Sequence, residues 1–90
     1  MNVQPTNERY VYEVGSETEA RTYRVDLLAN DGAGCCSCTD FSARRQPALR
    51  NGAVPLTDAC VCKHLRAAHT HFLRGILKAL AAEENNINAA

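Results

Sequence analysis

The 90-residue sequence has no apolar run approaching the ~20 residues that a membrane-spanning helix needs, so it predicts no membrane partner. Its first ten residues, MNVQPTNERY, lack the apolar stretch of a secretory signal. They also lack the basic amphipathic character of a transit peptide. These absences together predict a soluble, cytoplasmic protein.

The sequence also lacks the motifs of common enzyme classes. It contains no His-Glu-x-x-His, no glycine-rich phosphate-binding loop and no acidic pair near the cysteines, where only Asp40 occurs. Aromatic residues are few, with three tyrosines, two phenylalanines and no tryptophan. The tyrosines fall in predicted strands, so no stacking platform for single-stranded nucleic acid is evident. We therefore expect a protein that is not an enzyme.

Five cysteines are present, and an odd number cannot all pair into disulfides within one chain. In a reducing cytoplasm such thiols stay free unless they are catalytic or bind a metal. A chain this short buries a modest fraction of its surface, so it commonly needs a stabilising cross-link, such as a disulfide or a bound metal, in addition to its core. A bound metal ion is therefore the leading interpretation of the cysteines.

Periodicity predicts two strands and one long helix. The strands alternate polar residues with an apolar set, which is Tyr10, Tyr12 and Val14 in the first and Tyr23, Val25 and Leu27 in the second. The short polar connection at 15–19 makes them an antiparallel hairpin. Residues 42–58 read as a loop with a helical turn near 43–46. From His64 onward one helical face carries Leu65, Ala68, Phe72, Ile76 and Leu80, flanked by Leu73 and Leu77.

Two close pairs of metal-ligating residues lie in separate segments, Cys36-x-Cys38 and Cys62-x-His64. Zinc prefers four tetrahedral sulfur or nitrogen ligands, usually supplied in this way. Residues two apart point about 200° apart in a helix, and a pair within a regular strand is likewise not expected, so each pair is expected in a tight turn whose amide groups can also donate to sulfur. The first pair follows the second strand and the second pair opens the helix.

These residues resemble the SWIM zinc finger, whose pattern is Cys-x-Cys, a variable gap, then Cys-x-His leading into a helix. The similarity covers residues 21–73 and includes Asp40 and Phe41 after the first pair and Leu65 after the second. It implies that zinc is bound by Cys36, Cys38, Cys62 and His64. It also implies a small α+β fold, a two-stranded antiparallel hairpin packed on one long C-terminal helix (ββα). SWIM-like domains are regarded as DNA-binding or protein-binding units.

Other interpretations of the cysteines and histidines stay open at the level of sequence. Cys60-x-Cys62 could be the second pair, which would give a four-cysteine site with His64 free. Cys35 and Cys60 are otherwise expected to be small buried hydrophobic residues beside the metal. All five cysteines could also be core thiols without a metal. His69 and His71 are expected to face solvent on the helix.

Charge is unevenly distributed along a chain whose formal net charge is zero. Residues 1–40 carry −4, residues 41–80 carry +6 and the tail carries −2. The basic half favours an anionic partner such as DNA or RNA, and the candidate contact residues are Arg44, Arg45, Arg50, Lys63, Arg74 and Lys78. The alternative is a protein partner on the apolar helix face, which is wider than a hairpin can cover.

The predicted organisation is a single SWIM-like domain at 9–84, between a flexible N-terminus at 1–8 and a flexible tail at 85–90. Four protein ligands would leave zinc no position for an activated water, so the expected ion is structural. The sequence thus predicts a non-catalytic zinc module that binds a partner.

Overall fold

The fold is a four-stranded antiparallel sheet with a long helix packed on one face. The computed structural model describes residues 1–16 and 20–89, with the backbone alone at 84–89. Strands β1 (Asn2–Pro5), β2 (Val11–Gly15), β3 (Thr22–Asp26) and β4 (Cys35–Cys36) lie side by side in chain order. A helical turn (Phe41–Arg45) leads into α1 (Gln46–Arg50), and α2 (Lys63–Ala89) follows. The predicted α+β class with a C-terminal helix is confirmed.

The two strands predicted from alternation are β2 and β3. Tyr12 pairs with Val25 and Val14 with Tyr23, so these four side chains share one face of the sheet. Val14 and Val25 are fully buried there, under α2. The predicted connection at 15–19 joins these strands, and residues 17–19 of it lie outside the described part of the chain.

The prediction of a two-stranded ββα hairpin is wrong in its number of strands. β1 adds to the edge of β2, and β4 adds to the edge of β3 through the pairs Val25–Cys36 and Asp26–Cys35. β1 is largely exposed, with only Val3 half-buried, so it shows no alternation. β4 has two residues, too few for a period. Both strands join through backbone hydrogen bonds, which side-chain patterns do not report.

The segment predicted as a loop contains more helix than expected. The helical turn and α1 together run from Phe41 to Arg50, where one short turn near 43–46 was predicted. Pro47 stands in the first turn of α1, where its missing N–H leaves no hydrogen bond unmade. Phe41 is buried in the core. Asp40 makes no capping hydrogen bond to this turn and accepts one from Arg45 Nε at 3.1 Å.

Helix α2 packs on the sheet through its first turns only. Leu65 and Ala68 are fully buried, and half-buried Phe72 meets the ring of Tyr10 edge to face at 5.4 Å. Farther along, the predicted apolar face is 41–65% exposed at Leu73, Ile76, Leu77 and Leu80. A strand of five residues spans roughly 17 Å, whereas 27 helical residues span roughly 40 Å. The helix therefore extends beyond the sheet.

The core lies between the sheet face and the start of α2. Its buried members are Val14, Val25, Leu27, Cys36, Cys38, Phe41, Val61, Cys62, Leu65 and Ala68. Gly34 allows the closest approach of sheet and helix, because a Cβ there would lie 2.7 Å from Leu65 Cδ1. Within the described residues, no helix combines the length and apolar character needed to cross a membrane.

Candidate metal centre

The four predicted ligands meet where the last strand faces the beginning of α2. Cys36 is on β4 opposite Val25, so its side chain lies on the helix-facing side of the sheet. Cys38 follows the end of β4 and precedes the helical turn at 41–45. Cys62 directly precedes α2, and His64 is in its first turn. Two short segments, 24 residues apart from Cys38 to Cys62, thus supply two ligands each.

The geometry of the cluster fits a single metal ion. One ligand atom from each of Cys36, Cys38, Cys62 and His64 lies within 4.8 Å of all the others. All four residues are buried, and none is more than 4% exposed. A tetrahedral ion with ~2.3 Å bonds to sulfur and ~2.0 Å bonds to nitrogen places its ligand atoms about 3.5–3.8 Å apart. The observed cluster needs only a small contraction to reach those separations.

The imidazole of His64 gives a second indication of a metal. Both of its ring nitrogens are buried, and neither has a hydrogen-bond partner among the described residues. Leaving a buried polar atom unsatisfied costs about 1–3 kcal/mol. A metal ion bound to one of these nitrogens would remove that cost, so the donor set and its surroundings fit a bound ion.

Backbone amides donate to two of the cysteine sulfurs. Phe41 N–H donates to Cys38 Sγ at 3.3 Å, and Leu65 N–H donates to Cys62 Sγ at 3.4 Å. In each case the donor is three residues after the cysteine and belongs to the helical turn that the cysteine precedes. Amides at the start of a helix stabilise a thiolate through hydrogen bonds and the helix dipole. Such amide donors are expected from the sequence, and the structure contains them.

The sulfur atoms also shift one another's pKa. A hydrogen bond between Cys36 and Cys62 lowers the pKa of Cys62 to about 5, and the same bond raises the pKa of Cys36. Burial raises the pKa of Cys38. Cys62 is thus the preferred thiolate, in keeping with its place at the start of α2. Metal binding requires the remaining thiols to lose their protons as well.

The two additional cysteines are not members of the cluster. Cys60 is buried and is only two residues from Cys62 in the sequence, but the group of close ligand atoms contains His64 and not Cys60. This arrangement is that of the Cys-x-His interpretation and not of the four-cysteine alternative. Cys35 lies on β4 and pairs with Asp26 of β3. It is half-buried, and burial raises the pKa of its thiol. All five cysteines are free thiols.

A groove of about 460 Å³ opens beside the cluster, lined by Tyr23, Cys38, Thr39, Asp40, Arg45, Cys62, Lys63 and His64. Lys63 lies between two of the ligand residues in the sequence and lines this groove. The guanidinium of Arg66 forms an ion pair with Asp58. Its charge is therefore already partly compensated.

The six predicted nucleic-acid contact residues occupy two regions. Arg44 and Arg45 both approach the Asp40 carboxylate, and Arg45 also donates to the Asp58 carbonyl oxygen at 2.7 Å. Arg50 is exposed at the end of α1. Lys63, Arg74 and Lys78 are exposed on α2, as predicted. The structure thus brings the six residues together only in part.

A second groove, about 540 Å³ in volume, runs between the N-terminal strand and α2. Its lining includes Lys63, Arg66, Thr70, His71 and Arg74 from the helix and Val3 from β1. None of the residues that line it is acidic. Sequence reasoning did not find this groove, because β1 carries no apolar alternation to reveal it.

The histidines differ from one another in their surroundings. His71 is exposed, as expected, and its ring meets Tyr12 edge to face at 5.6 Å. His69, also expected to face solvent, is half-buried, and burial lowers its pKa. His64 lies against the ring of Tyr23, with 4.4 Å between ring centroids. This last contact was missed, since only the strand register places Tyr23 opposite the ligand.

Comparison of the chain with protein-family models, with curated proteins and with solved structures finds no match.

Proposed function

We propose that this protein is a non-catalytic module organised by one structural zinc ion, with Cys36, Cys38, Cys62 and His64 as ligands. The supporting observation is the convergence of four buried ligand atoms within 4.8 Å of one another. The order of the ligands along the chain and their flanking residues support a SWIM-type zinc finger.

Zinc is the ion that best suits this donor set. Three thiolates and one imidazole form one of the common ligand combinations of structural zinc sites, and soft sulfur donors disfavour magnesium and calcium. Four protein ligands fill the tetrahedron, so no position is left for an activated water. The proposed role is therefore the joining of β4 to α2, not the chemistry of a substrate.

The metal content of the purified protein tests this proposal. We expect one zinc ion per chain by native mass spectrometry and by elemental analysis, and its loss in the Cys36→Ser variant. Protein that carries no metal after purification and takes up none from a zinc-buffered solution would contradict the proposal.

The proposed partner is nucleic acid, with DNA as the first candidate. The groove between β1 and α2 supports it, because Lys63 and Arg74 line it and none of its lining residues is acidic. Arg66 also lines it, but its charge is partly compensated by Asp58. Lys63 and Arg74 are 11 residues apart on the helix, about 16 Å, so one nucleic acid could contact both through phosphates that are not adjacent. Arg44 and Arg45 contribute less to this proposal, since Asp40 already pairs with them.

Electrophoretic mobility shift with duplex DNA and with RNA at two ionic strengths tests this partner. Phosphate binding should weaken steeply with salt, by about tenfold or more between 50 and 200 mM. The Lys63→Gln/Arg74→Gln variant should bind several-fold more weakly, whereas Arg9→Gln, which removes an exposed cation from another surface, should not. Absence of binding at low salt would exclude nucleic acid.

A protein partner is the second candidate, and the exposed end of α2 favours it. Leu73, Ile76, Leu77 and Leu80 form an apolar face that the sheet does not cover. Arg74 and Lys78 lie beside Leu77 along a shallow groove. The chemistry fits an apolar partner surface with an acidic rim. Binding of this kind should survive high salt and be lost in Leu73→Gln/Leu77→Gln, which distinguishes it from phosphate binding.

A further inference from the structure

The orientation of His64 is not fixed in the usual way for a metal ligand. A metal-bound histidine commonly donates its second ring N–H to a carboxylate, a carbonyl oxygen or a water, and this bond sets the plane of the ring. Both ring nitrogens of His64 are buried and have no hydrogen-bond partner in the described structure. One nitrogen can bind the ion, but the other then has no described partner to hold the ring.

An aromatic contact takes the place of that hydrogen bond. The Tyr23 ring lies over the imidazole of His64, with the centroids 4.4 Å apart and the planes 32° from parallel. The Arg21 guanidinium lies 5.7 Å from the centroid of the same tyrosine ring. Tyr23 is inside β3, where it pairs with Val14 in the middle of the sheet. The next residue, Arg24, is also held by Ser37, whose amide donates to the Arg24 carbonyl oxygen at 3.0 Å and whose hydroxyl accepts from the Arg24 amide at 2.9 Å.

Tyr23 also forms part of the wall of the groove of about 460 Å³ beside the cluster. The ligand residues Cys38, Cys62 and His64 line the same groove. A smaller side chain at position 23 would widen the groove toward these ligands. Tyr23 thus has two means of influencing the ion, the orientation of a ligand and the access of competing molecules.

We propose that Tyr23 is a positioning residue for the metal site: its ring holds the imidazole of His64 in the ligating orientation and shields the ion from solvent. The inference rests on the proposed function, because it assumes that His64 binds an ion. It assigns to a strand residue a role that the ligand pattern alone does not contain.

Three variants of Tyr23 separate stacking from other effects. Tyr23→Phe keeps the ring and removes the hydroxyl, while Tyr23→Leu and Tyr23→Ile remove the ring, and isoleucine suits a strand by its β-branched shape. Tyr12→Leu is the matched control. Tyr12 is half-buried on the same face of the neighbouring strand and contacts His71, which is not in the cluster.

The test measures zinc affinity by competition with a chromophoric chelator, zinc release after excess chelator, and the absorption bands of the cobalt-loaded protein. Replacing a residue that holds a metal ligand in its orientation typically lowers metal affinity 10–100-fold. We expect about a 10-fold loss of affinity, faster release and shifted cobalt bands in Tyr23→Leu and Tyr23→Ile. Tyr23→Phe should match the wild type. Tyr12→Leu should keep the wild-type cobalt bands even where it lowers stability.

The outcomes distinguish the two proposals. Wild-type protein that binds neither zinc nor cobalt overturns the proposed function and this inference together. Wild-type protein that binds zinc while the Tyr23→Leu and Tyr23→Ile variants keep its affinity and cobalt spectrum overturns the inference alone. Equal changes in Tyr23→Leu and Tyr12→Leu would also overturn it, since the effect would then be a general loss of stability.

Discussion

Cys38 and Cys62 have the same local setting. Each precedes a helical turn, and each sulfur accepts a hydrogen bond from the amide three residues later. Such a cysteine combines two tasks, since its sulfur satisfies an amide at the start of a helix and can bind an ion at the same time. Single residues at helix starts therefore help to determine where the ligand cluster lies.

The assignment of ligands can be tested by comparing two equally buried cysteines. Cys60 and Cys62 are both 1% exposed, but only Cys62 belongs to the cluster. We expect Cys60→Ser to retain one zinc per chain, and Cys62→Ser and His64→Ala to lose it or to bind it at least 100-fold more weakly. Elemental analysis after dialysis against buffered zinc gives the answer. Loss of zinc in Cys60→Ser with retention in His64→Ala would instead show a four-cysteine site.

Gly34 and Gly32 provide a matched pair for the close approach of sheet and helix. Both have φ near +92°, but a Cβ at Gly34 would lie 2.7 Å from Leu65 Cδ1, whereas one at Gly32 has open space around it. Gly32→Ala should cost about 1–2 kcal/mol from backbone strain. Gly34→Ala should cost about 1–3 kcal/mol more, because Leu65 is fully buried and must shift. Denaturant unfolding of the zinc-loaded proteins measures both, and equal losses would contradict the proposed contact.

Helix α2 consists of two parts with different environments. Its first turns supply His64 to the cluster and Leu65 and Ala68 to the core. Its later turns extend past the sheet and expose large apolar side chains, while Arg74 and Lys78 lie beside them. The same helix therefore contributes to the candidate metal centre at its start and exposes apolar and basic side chains farther along.

Substitution of one leucine in each part of α2 should show the difference between the buried and the exposed part. Leu65 is fully buried, and Leu77 is 65% exposed. Leu65→Ala should lower the free energy of unfolding by about 2–5 kcal/mol, since it leaves a cavity under the sheet. Leu77→Ala should change it by no more than about 0.5 kcal/mol. Chemical denaturation of both variants with zinc bound is the measurement. A loss above 2 kcal/mol in Leu77→Ala would show that the exposed part of α2 is covered in solution.

At the scale of the whole molecule, the candidate metal centre and the hydrophobic core overlap. The core is small, and four of its members belong to the ligand segments 36–38 and 61–62. Zinc binding in small modules supplies on the order of 10 kcal/mol at neutral pH. This exceeds or matches the total stability of many domains. We therefore expect the proposed ion to be needed for stable packing of α2 on the sheet.

Removal of zinc should consequently unfold the region around the cluster. We expect excess chelator to abolish slow amide hydrogen exchange at Val25 and Leu65 and to broaden the unfolding transition. Returning zinc should restore both, and stability should rise with free zinc concentration as binding linkage requires. The Cys60→Ser variant should respond like the wild type. Unchanged exchange in the chelated protein would contradict a structural role for the ion.

The ligand cluster and the two central strands could be predicted from the sequence because their signals are local. Metal ligands must be specific residue types at short spacings. A half-buried strand must place apolar residues at every second position, on the buried face where Val14 and Val25 lie. The start of α2 was predicted for a similar reason, since one of its faces is apolar.

Only the tertiary structure decided which of these faces were covered and which strands were added. β1 joins the sheet through its backbone hydrogen bonds, so the identity of its side chains does not predict a strand there. The apolar face of α2 continues in the sequence through Leu80, but the sheet is too short to reach it. Tyr23 contacts His64 because strand register and helix position coincide. Periodicity in the sequence shows which side chains of one segment share a face. These features depend instead on how far apart different segments lie in the folded chain, which the periodicity of a single segment does not determine.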